Sequence, residues 1–299
     1  MTLRRLLSWR PELPGPWPYV LNKYGIPLVP LEAVYRLALP LADLFYYTRP
    51  RTRETARRNY ARILGRSVDD PAVQRLARAC FRQFARYIAE LIHVQGWDTE
   101  TLLDRLQIEG EEHFAAAESH GKGVIFVSAH MGSTEIAAKL AVHFGFKITA
   151  VSQQIRPQFF MDWAVASRAD AGITLLPVQR AGIRLLRALR RGEMVALIVD
   201  AGLDVPDVVP VTFFGRRTVF PAGPARLARL SGAPIVFGLA ARRPGGRFIA
   251  HICPPLFSDR KLTPEEDARR LTERLAATFE GFVRRYPEQW YAFREMWPE

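Results

Sequence analysis

His130 and Glu135 are the two residues whose types and spacing best suit chemistry. They close the run Gly121-Lys-Gly-Val-Ile-Phe-Val-Ser-Ala-His130-Met-Gly-Ser-Thr-Glu135. A neutral imidazole can take a proton from a hydroxyl or amine attacking an acyl carbonyl, and a carboxylate beside it fixes the tautomer and steadies the imidazolium. Glu135 suits that second role. Gly132 allows close backbone approach to a reacting group, and Ser133 or Thr134 suits the cap of a following helix whose N-terminus favours a developing oxyanion or a phosphate. The same spacing also fits an ordinary strand, loop and helix junction, with a surface histidine and an acid complementing the helix dipole.

These residues need a strand to deliver them. The apolar alternation predicts one from Gly123 to Ser128, which places His130 at its carboxyl end, where open α/β sheets bind ligands. Further strands are expected at Lys147–Val151, Ile173–Val178, Val195–Val199, Pro234–Ala240 and Phe248–Cys253, with helices between most of them and a long one from Pro264 to Tyr286. That rhythm predicts an α/β fold with helices on both faces of a mixed, mostly parallel sheet. Asp200 ends a buried strand toward the same sheet edge as His130, where it either shapes the pocket or forms a turn. After Gln179, Arg180, Arg184, Arg187 and Arg191 form a stripe opposite Ile183, Leu186 and Leu189, either a solvated face or a dock for an acidic partner.

Residues 1–105 read as a helical, membrane-associating region and 106–299 as the α/β domain. Arg51–Arg62 is basic and helical, and Pro71–His93 places Leu76, Cys80, Phe84, Ile88 and Leu91 near one face with Arg75, Arg78, Arg82 and Arg86 elsewhere. Such a helix either rests a cationic face on anionic lipid or presents a solvated outer face over an apolar core stripe. Tyr24–Tyr47 is largely apolar but carries Glu32, Arg36, Asp43 and three prolines, so it is expected to be an interfacial or re-entrant element, or an internal core hairpin, rather than to span a bilayer. No signal peptide is expected, because only a brief apolar pair separates Arg4 and Arg5 from Ser8-Trp9-Arg10 and a proline-rich run follows.

The 299-residue chain has a net charge of +12, carried mostly by arginine, with lysine at Lys23, Lys122, Lys139, Lys147 and Lys261. Arginine in excess suits phosphate contacts of lipid, coenzyme A, acyl carrier protein or nucleic acid. No zinc finger, helix-turn-helix or RNA-recognition signature accompanies the charge, so nucleic acid is not expected as a partner. A serine hydrolase would need a Gly-x-Ser-x-Gly elbow, which is absent, and Gly121-Lys122-Gly123 does not complete a dinucleotide fingerprint. Cys80 and Cys253 are too few and too distant for a disulfide framework or zinc cluster; no metal is expected, and His143 after Glu135 fits no ligand spacing.

Beyond His130 and Glu135, blocks recur in order: Arg168 in Ala-Ser-Arg-Ala-Asp-Ala-Gly172, Leu-Arg-Arg-Gly192-Glu-Met-Val-Ala-Leu-Ile-Val-Asp200, Val211-Thr-Phe-Phe-Gly215, Phe220-Pro-Ala-Gly-Pro-Ala-Arg-Leu-Ala228, Ser231-Gly-Ala-Pro-Ile-Val236 and Tyr286-Pro-Glu-Gln-Trp290-Tyr. From about residue 50 to the end, the chain resembles the lipid A biosynthesis acyltransferase family, which includes phosphatidylinositol mannoside acyltransferases. The resemblance implies a glycerolipid acyltransferase-like fold and transfer of a fatty acyl group from an acyl-CoA or acyl carrier protein to a lipid or glycolipid acceptor. It further implies a peripheral or monotopic position at the cytoplasmic face of a cell inner membrane, no acyl-enzyme, and no cofactor beyond the thioester co-substrate. His130 would be the base and Glu135 its orienting partner. Arg168 would hold an acceptor phosphate or the donor, or else form a helix-terminal ion pair; Asp200, Gly132 and Ser133 would border substrate. Phe214 would line an acyl channel or pack a turn, and Trp290 and Tyr291 are expected as core or interfacial aromatics. Many members have Phe-Gly-Asn-Trp after the histidine where this chain has Met131-Gly132-Ser133-Thr134, and Gln or Arg where it has Ala201; both departures fall at the acceptor pocket, and the alternatives to acyl transfer are a non-catalytic membrane- or lipid-binding relative and a thioester hydrolase.

Overall fold

The computed structural model of the chain describes residues 29–152, 168, 172–177, 181–201 and 206–297. The proline-rich run from Pro11 to Pro18, residues 24–28 of the interfacial segment and Arg180 lie outside them.

Seven strands form the main sheet: β1 (Leu106–Glu109), β2 (Val124–Ser128), β3 (Ile148–Ser152), β4 (Ile173–Pro177), β5 (Met194–Ile198), β8 (Ile235–Arg243) and β9 (Arg247–Ile252). Their order is β1-β9-β8-β2-β5-β3-β4, and β8–β9 is the antiparallel pair among otherwise parallel neighbours. The fold is therefore the mostly parallel α/β sheet expected. Alternate residues of β2 face opposite cores, Ile125 and Val127 on one side and Val124 and Phe126 on the other. Burial of both faces is why the strand reads as an unbroken apolar run.

The helices are α1 (Leu31–Thr48), α2 (Pro50–Leu64), α3 (Pro71–His93), α4 (Thr99–Arg105), α5 (Glu112–Glu118), α6 (Thr134–His143), α7 (Gly182–Arg190), α8 (Gly223–Ser231) and α9 (Pro264–Arg285). Thr263 and Glu266 close a capping box at the start of α9. Strand β1 and the hairpin of β6 (Val208–Phe213) and β7 (Arg216–Pro221) are additions to the expected strands. Pro210 and Pro221 sit in this two-stranded ladder, where edge positions tolerate proline.

The described part of the apolar segment near the N-terminus is one helix that continues through Pro40, with no hairpin turn within Leu31–Thr48. Its buried side, Leu31, Tyr35, Ala42 and Tyr46, packs on α3, and Asp43 receives Arg78 and Arg82 of α3, each at 2.7 Å. Leu37, Leu41 and Leu44 point outward, 72%, 67% and 60% exposed. Among the described residues no helix is long and apolar enough to cross a membrane.

Two expected faces shift. Helix α3 has the expected bounds but buries Val73, Ala77, Cys80 and Phe81 and leaves Ile88 exposed, because its packing partners are α1, α2 and the C-terminal segment. Its arginines are not a bare cationic face: Arg78 and Arg82 are paired, and Arg86 lies over the Tyr35 ring. On α7, Leu185 and Leu189 are buried while Ile183 lies with the exposed arginines.

Helices α2 and α3 grip the C-terminal segment. Asn59 donates to the carbonyls of Ala292 and Arg294, Tyr60 donates to Trp290 O at 2.7 Å, and the Cys80 thiol donates to the same carbonyl. One core joins Tyr60, Phe81, Ile125, Phe237 and Trp290, so residues on both sides of position 105 are buried together.

Candidate active site

The register of two neighbouring strands builds the site. Ser128 of β2 pairs with Ile198 of β5, and His130 and Asp200 each lie two residues beyond that pair. Parallel neighbours lie about 4.8 Å apart, which brings both side chains to one sheet edge. His130 Nδ1 lies 3.1 Å from Asp200 Oδ1, and the His130 backbone N–H donates to the same oxygen at 2.8 Å. Trp290 Nε1 donates to Asp200 Oδ2 at 3.1 Å. Asp200 is buried, whereas the His130 side chain is 40% exposed. Burial pushes the Asp200 carboxyl up, but the His130 charge and the hydrogen bonds from His130 and Trp290 outweigh it and hold it below its ordinary range.

The imidazole therefore takes its Nδ1 carboxylate from a strand seventy residues away. Glu135, second residue of α6, is buried and accepts from Arg168 Nη2 at 2.6 Å. Burial disfavours the Arg168 cation, but the Glu135 charge prevails and raises its pKa. The expected spacing thus contributes an ion pair between Glu135 and Arg168, beside a His130–Asp200 pair that it did not predict. Tyr87 of α3 borders the Glu135–Arg168 pair: its hydroxyl accepts from Thr134, and burial raises its pKa.

Gly132 and Ser133 serve the loop itself. Gly132 has φ +64°, and a Cβ there would lie 2.1 Å from Ala240 O, so only glycine fits. Its N–H donates to Gln289 O, and its carbonyl accepts from Arg242 and Tyr291. Ser133 occupies the N-cap of α6 without a side-chain cap bond, and its buried hydroxyl has no partner among the described residues. Thr134 likewise turns away to Tyr87. Phe214 sits at the β6–β7 turn with φ 50°; its N–H donates to Glu280 and Arg284 covers its ring. It is not among the residues around His130. That small cleft is lined by His130, Asp200, Trp290, Tyr291, Arg294 and Met296.

The sequence marks Trp290 and Tyr291 only as core or interfacial aromatics and does not single out Arg242. The block ending in Trp290-Tyr291 was visible, but nothing local indicates that an indole N–H will meet a carboxylate ninety residues earlier. Among the described residues no cluster of His, Cys, Asp and Glu is arranged to hold a metal ion.

The arrangement can hold an imidazole in one tautomer while its ring stays accessible beside a cleft, which suits proton transfer in acyl chemistry. Comparison with known proteins points to acyl transfer on separate grounds. The family model described as bacterial lipid A biosynthesis acyltransferase matches residues 10–299. A phosphatidylinositol mannoside acyltransferase of Mycolicibacterium smegmatis is 27% identical over 248 residues, covering 82% of this chain and 79% of that protein. Its counterpart in Mycobacterium tuberculosis strain H37Rv is 27% identical over 262 residues, covering 84% and 79%. A lipid A biosynthesis acyltransferase of Haemophilus influenzae is 27% identical over 194 residues, covering 63% and 58%. With a match across nearly its whole length, this chain is an acyltransferase and belongs to the bacterial lipid A biosynthesis acyltransferase family.

Proposed function

We propose that this acyltransferase moves a fatty acyl chain from an acyl-CoA or acyl carrier protein to a hydroxyl of a glycolipid or phospholipid, with His130 as general base and Asp200 as its orienting partner. The observation that carries this reading is the half-exposed imidazole with Nδ1 held by a buried, ionised carboxylate. Asp200 engages Nδ1, so Nε2 takes the proton from the acceptor hydroxyl. The acceptor oxygen attacks the thioester carbonyl; the tetrahedral intermediate collapses, the C–S bond breaks, and the imidazolium returns the proton to the leaving thiolate. The N-terminus of α6, whose N-cap side chain makes no cap bond, favours the negative oxygen. Donor and acceptor react directly, so alignment supplies much of the rate. In this mechanism Glu135 holds Arg168 at the edge of the site, where the cation can meet a phosphate of either substrate.

The outward leucines of α1 support a membrane-surface location, with Leu37, Leu41 and Leu44 entering the lipid interface. An acceptor of the kind named for the relatives would be reached from that surface, and a peripheral position at the cytoplasmic face of an inner membrane would give access to intracellular thioesters. The test is to incubate the purified protein and its His130→Ala variant with labelled acyl-CoA or acyl carrier protein and a lipid extract of its own source. A His130-dependent acylated lipid, identified by mass spectrometry, is expected. Donor hydrolysis without an acylated lipid would point to a thioesterase, and equal transfer by the variant would remove His130 from the mechanism.

A further inference from the structure

The carbonyl of Gly132, two residues from the proposed base, accepts from Arg242 Nη2 at 2.9 Å and from the Tyr291 hydroxyl at 2.5 Å. Arg242 lies near the end of β8, buried, and its Nε and Nη2 grip Glu90 of α3, the latter at 2.8 Å. Glu90, also buried, accepts the hydroxyl of Tyr35 from α1. Gln289 clamps the Arg242 backbone from both sides, its side chain accepting from Arg242 N at 2.8 Å and donating to Arg242 O at 3.0 Å. The Gln289 carbonyl receives Gly132 N–H, and Tyr291 N–H donates to His130 O at 2.8 Å.

We infer that Arg242 is a positioning residue for acyl transfer: gripped by Glu90 and backed by Tyr35, it fixes the Gly132 carbonyl and, through it, the backbone that carries His130. This rests on the reading of His130 as base. A buried ion pair is a poor source of stability, since an apolar pair of similar volume often replaces it without loss. Here the pair also leaves Arg242 Nη1 buried without a hydrogen-bond partner among the described residues. What an apolar pair cannot supply is a donor to the Gly132 carbonyl. Glu90 outweighs burial and raises the Arg242 pKa, so the donor stays charged at any pH at which the protein is folded.

The experiment compares Glu90→Leu/Arg242→Met, Arg242→Lys and His130→Ala with the wild-type full chain. It measures melting temperature, deuterium uptake of a peptide spanning 129–135, and turnover and donor KM in the labelled transfer assay. The double variant is expected to melt near the wild type, exchange faster in that peptide, and lose about tenfold to hundredfold in turnover with donor KM nearly unchanged, as for a slightly misplaced catalytic group. Arg242→Lys should recover part of the turnover. Should the double variant not fold, Glu90→Gln/Arg242→Gln is read by the same criteria. Unchanged turnover, with or without faster exchange, overturns the inference, as does a loss that merely follows the unfolded fraction. Wild-type turnover in His130→Ala instead overturns the assignment of the base, and the positioning role with it; an inactive His130→Ala beside a fully active double variant overturns the positioning role alone.

Discussion

The indole of Trp290 donates to Asp200 on the carboxylate oxygen that His130 does not use. The aspartate is thereby held in one rotamer between a C-terminal tryptophan and the proposed base. Trp290→Phe keeps the ring and removes the donor. A hydrogen bond to a charged group contributes about 1.5–3 kcal/mol, so a measurable fall in melting temperature is expected together with a smaller loss of turnover than from removing Asp200 itself. Calorimetry and the transfer assay on one preparation check both.

Asp200→Asn should be the more damaging change. It leaves three donors facing a neutral amide and no longer fixes the imidazole tautomer. Loss of the aspartate that orients the imidazole in a Ser-His-Asp triad costs about 10⁴-fold in turnover, which bounds the effect expected here. In a double-mutant cycle, Asp200→Asn and His130→Ala should be strongly non-additive; independent, additive effects would remove Asp200 from the mechanism.

Glu135 is expected to couple to a different residue. Glu135→Gln leaves the partly buried Arg168 cation without this carboxylate, a loss below the cost of about 3–5 kcal/mol for breaking a fully buried pair from one side. Cycles of Glu135→Gln with Arg168→Gln should therefore show interaction energies of about 0.5–3 kcal/mol, larger than those of Glu135→Gln with His130→Ala. The reverse order would return Glu135 to the role of orienter.

Acid should weaken the docking of α1. Hydrogen bonds from Arg78 and Arg82 hold the Asp43 carboxyl far below its ordinary value of 3.8. A carboxyl lowered in the folded state contributes stability that is present above the unfolded pKa and lost as pH falls through the folded one. Asp200, also lowered, acts in the same direction. The wild type should therefore lose stability as pH drops below about 4, and Asp43→Asn should show a shallower loss over that range in denaturant titrations at stepped pH.

The outward face of α1 is testable without catalysis. Leu37→Ser/Leu41→Ser/Leu44→Ser removes side chains worth about 1.5–3 kcal/mol each when fully buried, so binding to vesicles containing anionic lipid should fall more than tenfold. These residues are exposed, so the melting temperature should hardly move. Undiminished vesicle sedimentation would exclude this face as the lipid contact.

Local periodicity determined much of the fold. Pro71–His93 emerged with the bounds its apolar spacing predicts, β2 and β5 emerged close to their expected limits, and His130 stood at the carboxyl end of a strand. Those features repeat every two or 3.6 residues, so a short stretch of chain encodes them. The family blocks likewise identified the reaction class. Which carboxylate meets the imidazole was not encoded in any short stretch: Glu135 is near in sequence, but a helix turns it toward Arg168, while β5 beside β2 brings Asp200 to Nδ1. The same holds for Trp290 on Asp200 and for Arg242 on Gly132, contacts across 90 and 110 residues. Strand order and the packing of the first helices on the C-terminal segment decided these, because a contact between distant residues exists only once the sheet is assembled and its neighbours are chosen.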